Sequence, residues 1–498
     1  MAAGRGMFEA SLAAAAMRPF ALLAVLVFVA GSALAQEMPA GSFVRPDVTM
    51  GAERHSRAAA EGEYRDISSG PSGSPFDGTV SALATAPDGS IYAGGDFTTA
   101  GGMAVNYIAR WDGTRWTALG SGVNGRVDAL AVAADGSVYA GGEFTTAGGV
   151  VASRVARWNG TMWSALGSGT TGPVYALMVT PDGSVYAGGN FGAAGGVAAR
   201  YVARWDGAAW LPLGSGVNNS VLAFSAGPNG TVYAAGFFRT AGGELVDYVA
   251  RWNGTGWATL GGGMNRSVWA LVAAPDGSLY ASGDFTMAGG VSANGVARWD
   301  GTAWTALGSG VRNSPSDGVA TALAVSVDGS LYASGFFSSA GVVAARNAAR
   351  WDGAAWTALG GGPDGIVYAL AVDRQGDVIL GGTFTTAGGV YSPFVTLYDT
   401  FGTVASEGGA EAAGLALAVA PNPVSSGGTV RVTLAEAGRV RVAVVDVLGR
   451  EVAVLADGER SAGEHAVALG AERLPAGVYV VRLTVGRETA VRRVTVVR

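Results

Sequence analysis

The sequence predicts an all-β chain: a seven-bladed β-propeller of four-stranded blades, then a small C-terminal Ig-like β-sandwich. Three observations carry that expectation. Arg-Trp-Asp/Asn-Gly begins at Arg110, Arg157, Arg204, Arg251, Arg298 and Arg350, spaced by 47 residues four times and then by 52. Each period divides into four short strand-like runs parted by Asp-Gly or Asn-Gly, strong hairpin signals because both residues tolerate positive φ. Four strands in a repeat of ~40–50 residues is the propeller pattern. Beyond Gly414 the glycine-rich repeat stops and a plain alternation of apolar and polar residues takes over.

Residues 1–35 read as a secretion signal. Arg18 is its basic residue, Phe20 to Ala30 its apolar run, and Ala33-Leu34-Ala35 a small-residue cleavage site before Gln36. The apolar run is short for a bilayer, which needs ~20 residues. No membrane span is expected in the mature chain. Met17 alone would start a complete signal. Residues 36–63, a mixture of Ala, Arg and Glu, are expected to form a mobile N-terminal segment or a short helix.

Residues 64–402 hold the repeats. In the second copy the strands are VDALAVA, SVYAGGEF, RVARW and TMWSAL, with Asp135-Gly136 and Asn159-Gly160 as tight turns. The first strand is small and apolar, which suits the crowded innermost position of a blade. A second Trp follows each first one by five residues, at Trp116, Trp163, Trp210, Trp257, Trp304 and Trp356. A Phe recurs at Phe97, Phe144, Phe191, Phe238, Phe285, Phe337 and Phe384. The seventh copy carries Leu397-Tyr398-Asp399 for Arg-Trp-Asp and lacks a fourth strand.

The N-terminus supplies a replacement. Tyr64 to Gly70 overlays on Trp116 to Gly122. Tyr64 lies 33 residues before Phe97, where Trp116 lies 28 before Phe144; the extra five recur between Trp304 and Phe337. Both long loops carry Ser-Pro-x-Asp-Gly, from Ser74 and from Ser314. Residues 64–70 are therefore expected to pair into the last blade, so that the ring has no open sheet edge. A linker at 403–414 leads to the sandwich at 415–498. There Val430, Val432 and Leu434 share a face, with Arg431 and Thr433 opposite; Val440, Val442 and Val444, and Tyr479, Val481 and Leu483, alternate likewise.

Composition excludes several functions. The 498 residues contain no Cys, which removes disulfides, thiolate metal sites and cysteine nucleophiles. Only His55 and His465 are present, so a Ser-His-Asp triad has no place in the repeats. All 32 basic residues are Arg, which removes Schiff-base lysines and Walker-type loops. A net charge of -6 argues against nucleic acid as a partner. No EF-hand loop is present, and neither a metal nor a cofactor is expected.

Two resemblances follow from these motifs. The repeat AVxPDGSVYAGGEFTTAGG…VARWDG resembles delta-60 bacterial propeller repeats and, more loosely, kelch-like propellers. The segments APNPVSSGGTVRVTL, VVDVLGREVAVL, AGEHAVAL, LPAGVYVVRL and VRRVTVVR resemble the type A C-terminal sorting domain of the type IX secretion system of Bacteroidota. Its motif positions include Pro421, Asn422, Pro423, Gly449, Arg450, Gly477 and Tyr479, while Leu469 stands where that family usually carries Trp. The resemblance implies export across the outer membrane by the type IX machinery, acting through residues 415–498. It also implies removal of the sorting domain, then surface attachment or release.

Residues shared by every copy are needed by every blade. The paired Trps are read as inter-blade core, the repeated Arg as lying over a Trp face or against carbonyls between blades, and each Asp-Gly as a turn. Residues that break the symmetry are the site candidates. At the start of the first strand the copies carry Ser81, Asp128, Tyr175, Leu222, Trp269, Thr321 and Tyr368. Of these, Asp128, Tyr175, Trp269, Thr321 and Tyr368 are the expected ligand-binding residues; the aromatic rings suit sugar stacking or a peptide clamp. Loop residues Asn218, Asn219, Asn265, Arg266, Arg312, Asn313 and Asp364 add polar variety. No catalytic residue is assigned. The expected function is a non-catalytic surface or extracellular propeller that binds a polysaccharide or a surface protein. Two alternatives remain: a structural matrix protein with no discrete ligand, and a polysaccharide-active enzyme using carboxylates such as Asp128 and Asp364.

Overall fold

A computed structural model describes residues 62–69, 73, 75–227, 230–313, 316–326, 328–374, 376–400, 415–420, 424, 427–446, 451–470, 474–475, 477–485 and 488–496. The expected secretion signal with Ala35 and Gln36, the expected N-terminal segment up to residue 61, the expected linker, Pro421, Asn422, Pro423, Gly449 and Arg450 lie outside them. Every named element among the described residues is a β-strand.

The second repeat shows the unit. Val127–Val132, Val138–Gly142, Val155–Trp158 and Trp163–Ala165 lie side by side in chain order, all antiparallel. The first turn closes on Gly136 at φ 82. Between the second and third strands the chain makes a small hairpin, Thr146–Ala147 with Val150–Val151. Its two turn residues, Gly148 and Gly149, sit at φ 57 and 82, which the primed two-residue turn requires.

Seven such sheets recur among the described residues. They start at Thr79–Thr85, Val127–Val132, Val174–Val179, Val221–Ala226, Val268–Ala273, Val319–Val325 and Val367–Val372. Each starting strand touches the next, and the last touches the first, so the succession closes on itself. The seventh sheet takes its outer strand from the N-terminus. Glu63–Asp66 pairs antiparallel with Val395–Asp399, with Tyr64 opposite Tyr398.

The paired Trps explain how sheets are joined. Trp158 and Trp163 face each other across the third and fourth strands, with ring centroids 5.5 Å apart. The Trp163 indole N–H donates to the Leu119 carbonyl of the preceding sheet at 2.8 Å. Trp210, Trp257, Trp304 and Trp356 donate in the same way to Leu166, Leu213, Leu260 and Leu307. At the closure Trp116 donates to Ile67, and the Tyr64 hydroxyl donates to Leu359 at 3.0 Å. Tyr64 and Tyr398, 4.8 Å apart, stand in for a Trp pair. Small residues make the close approach between sheets possible: a Cβ on Gly141 would lie 2.6 Å from Val174 of the next sheet.

The repeated Arg differs from its expected place over a Trp or between blades. It ties the third strand to the first turn of its own sheet. Arg157 reaches Asp135 at 3.2 Å and the Ser137 hydroxyl at 2.8 Å; Arg110 and Arg350 make the same pair of contacts. The cause is register. Arg157 stands opposite Tyr139, beside the turn, and the turn Asp already accepts the Ser137 N–H at 2.9 Å.

The C-terminal residues form two antiparallel sheets. Leu415–Ala420, Gly428–Leu434 and Gly463–Leu469 make one; Glu451–Arg460, Gly438–Asp446, Gly477–Val485 and Glu488–Val496 make the other. Val430, Val432, Leu434, Val442, Val444, Tyr479, Val481 and Leu483 share one core, as the alternation requires. Leu469 is buried in it.

Candidate functional site at the rim of the ring

The seven symmetry-breaking residues have one structural cause in common. In every sheet the register between first and second strands slips at that residue: between Val80 and Ala82, Val127 and Ala129, Val174 and Ala176, Val221 and Ala223, Val268 and Ala270, Ala320 and Ala322, and Val367 and Ala369. Each skipped residue is the extra member of a β-bulge. A bulge re-aims a side chain away from the regular alternation. The flanking residue just before it is fully buried in every sheet, whereas all seven bulged residues are half-buried.

Charge gathers at one part of this rim. Arg126 Nε lies 2.7 Å from Asp128 Oδ1, and Arg126 Nη2 lies 3.2 Å from Glu143 Oε1. The Arg126 and Asp128 side chains are only 15% and 12% exposed. Asp128 Oδ2 is buried with no hydrogen-bond partner among the described residues. Burial pushes the Asp128 carboxyl up to about 7 against the pull of Arg126, and the charges of Glu143 and Asp96 push the same way. One guanidinium is shared among several carboxylates, so it neutralises Asp128 incompletely.

Two of the aromatic residues feel this cluster. Burial raises the Tyr175 hydroxyl, with Asp128 and Glu143 adding to the shift. Burial also raises the Tyr368 hydroxyl, against a hydrogen bond with Thr383 and the Arg126 charge. Tyr175 belongs to the third sheet, Arg126 to the second and Tyr368 to the seventh. Three sheets thus bring their bulges within electrostatic reach of one guanidinium.

Other predicted residues make structural contacts. The Thr321 hydroxyl donates to the Val367 carbonyl of the next sheet at 2.5 Å, which makes it an inter-sheet strut. Trp269 packs edge-on against Phe237 at 5.5 Å, and its indole nitrogen is buried with no partner among the described residues. Asp364, Asn218 and Asn265 are caps. Each accepts two successive backbone N–H groups from the loop after the second strand. Asp77, Asn124 and Thr171 do the same. The repetition escaped sequence comparison because the capping residue alternates among Asp, Asn and Thr. Asn219 accepts the N–H of Ser220, and the Arg312 carbonyl accepts from Ser338.

Sequence reasoning missed Arg126, Glu143 and Phe237. The signal was available: Glu143 and Phe237 each immediately precede a repeated Phe, and that position reads Asp96, Glu143, Asn190, Phe237, Asp284, Phe336 and Thr383 around the ring. A further repeated feature also went unread. The residue before the third strand has positive φ in every sheet, and it is glycine in one copy alone: Tyr107, Arg154, Tyr201, Tyr248, Gly295, Asn347 and Phe394. Its N–H donates to the repeated Phe carbonyl each time, for example Tyr201 to Phe191 at 2.8 Å.

With the geometry in place, the chain can be set against known proteins. Residues 67–226 match the Rax2 C-terminal beta propeller domain, and residues 274–299 match a beta-propeller domain of unknown function (DUF5122). Residues 418–497 match the secretion system C-terminal sorting domain. The chain carries a type IX secretion sorting domain. This sorting domain marks proteins exported to the cell surface or the extracellular space. No curated protein matches the chain.

Among solved structures, a gluconolactonase from Xanthomonas campestris is similar at 15% identity and TM-score 0.34, over 65% of this chain and 99% of its own. A protein of unknown function from Bacteroides thetaiotaomicron is similar at 10% identity and TM-score 0.35, over 68% and 98%. A glycoside hydrolase family 43 arabinoxylan arabinofuranohydrolase from Bacillus subtilis is similar at 12% identity and TM-score 0.23, over 84% and 94%. None is similar enough to bear on what this chain does.

Proposed function

We propose that the protein is a non-catalytic, surface-exposed or extracellular propeller that binds a polysaccharide at the rim of its ring. The supporting observation is the bulge repeated in seven sheets, which holds half-buried side chains of six kinds in equivalent places. Tyr175 and Tyr368 offer faces for sugar rings, and Asp128, Arg126 and Glu143 offer polar partners. Residues 64–402 form the binding unit. Residues 415–498 engage the type IX machinery and are dispensable for binding.

The test is calorimetry of the full chain against a panel of purified polysaccharides. Tyr368→Ala and Asp128→Asn should each weaken saturable binding by about tenfold or more, the loss of ~1.4 kcal/mol. Saturable binding that neither variant changes would reject the rim as the site. Turnover of any panel member would reject the non-catalytic reading.

A further inference from the structure

We infer that a cleft between the third and fourth sheets is a second binding site, one that takes a carboxylated sugar such as a uronate unit. The cleft has a volume of ≈ 510 Å³, within the ~300–1,000 Å³ range of small-ligand sites. None of the seven bulged residues lines it. Its lining includes Asn190, Arg200, Tyr201, Ser215, Asn218 and Thr240. Arg200 is the one charged residue among the described residues that line it. It is exposed and makes no ion pair among the described residues.

Internal repetition shows why the cleft is open here. Where this sheet has Gly192, the other copies carry Thr98, Thr145, Arg239, Thr286, Ser338 and Thr385. A Cβ on Gly192 would meet nothing within 4 Å, so a side chain there would project into free space. Gly192 has an ordinary negative-φ backbone, and conformational freedom does not explain its presence. The cap that faces it is also shortened: Thr171 replaces the Asn or Asp of most other copies and accepts the Gly192 and Ala193 N–H groups at 3.2 and 3.1 Å.

The next interface is the internal control. The equivalent cleft between the fourth and fifth sheets measures ≈ 410 Å³ and is lined by Arg239, Asp247, Met264 and Met287. There Arg239 is neutralised by Asp247 at 2.8 Å. Arg200 occupies the position of Asp247, and its would-be partner position is Gly192. The third sheet therefore presents a cation without its acid, beside amide and hydroxyl groups. Tyr201, held at φ 64 with its N–H bonded to Phe191, adds a preformed aromatic wall. An unpaired guanidinium in a fork geometry selects a carboxylate, and the polar and aromatic lining selects a sugar ring to carry it.

The cleft shares no bulged residue with the rim, and the experiment separates the two. The full chain is titrated calorimetrically with tetragalacturonic acid and with its fully methyl-esterified form. The acid should bind saturably, with affinity that falls as salt rises. The ester should bind about tenfold more weakly or worse, because it lacks the charge. Arg200→Gln should cost about tenfold. Gly192→Thr, which restores the residue of four other copies, should abolish binding by filling the cleft while leaving the melting temperature unchanged. Tyr368→Ala at the rim should leave this binding intact. Equal binding of acid and ester, no saturable binding of the acid, or indifference to Gly192→Thr and Arg200→Gln would each overturn the inference.

Discussion

Closure of the ring by Tyr64 can be tested in isolation. The Tyr64 side chain is buried against Tyr398 and its hydroxyl donates to Leu359 at 3.0 Å, in the place of a Trp strut. Tyr64→Phe removes one donor and leaves the Leu359 carbonyl unsatisfied, a loss of about 1 kcal/mol. Tyr64→Ala also empties the space against Tyr398, a loss of roughly 3–5 kcal/mol. The Arg65–Asp399 pair at 2.6 Å is half exposed on the Arg side and adds at most about 1 kcal/mol. Unfolding entropy of ~2.1 cal/mol/K per residue makes a propeller of this size lose ~1.5 °C per kcal/mol. Scanning calorimetry of the full chain should therefore show a drop of about 1–2 °C for the Phe variant and roughly 4–8 °C for the Ala variant. Met162→Ala, on an exposed residue of the second sheet, should melt as the parent does. If Tyr64→Ala also melts as the parent does, the N-terminal strand contributes nothing to closure and the reasoning fails.

Other expectations concern the rim, the interfaces between sheets and the loop caps. Asp128 holds its proton up to about pH 7 in the folded chain, whereas an unfolded Asp releases it near ~3.9. Between those values the folded state binds the extra proton, so the contribution of Asp128 to stability is fully present below about pH 4 and is lost as pH rises through about 7. Denaturant titrations at stepped pH should show this slope, and Asp128→Asn should flatten it. Gly141→Ala places a methyl 2.6 Å from Val174; urea unfolding should show a loss of roughly 1–3 kcal/mol. Asp364→Ala frees two backbone N–H groups of an exposed loop; limited proteolysis near Thr385 should accelerate while the global melting temperature changes little.

The sequence was most legible where every copy repeats the same chemistry. Trp spacing, Asp-Gly turns and the missing fourth strand located the sheets, and even identified Tyr64 as the closing residue, because the chain carries six complete copies of the unit for comparison. The alternation at Val430, Val432 and Leu434 was likewise enough to name the buried face of a C-terminal strand. The ring of symmetry-breaking residues was also legible, since variation against a fixed background needs no coordinates.

What such a ring does depends on neighbours far apart in the chain. The Thr321 hydroxyl bonds the Val367 carbonyl of the next sheet, and the Asp364 carboxylate holds two backbone N–H groups of a loop, neither of which is readable from one segment. Arg126 is inconspicuous as a single residue, yet its charge acts on Asp128, Tyr175 and Tyr368 at once, against the effect of their burial. The sequence by itself determined the strands, their order and the closing segment, because hydrophobic period and turn chemistry are local. Which polar groups bond the backbone is fixed by the packed sheets, because their partners lie in other segments of the chain. Burial and the bonds that cross from one sheet to the next join residues far apart in the chain, such as Thr321 and Val367, and no local pattern encodes them.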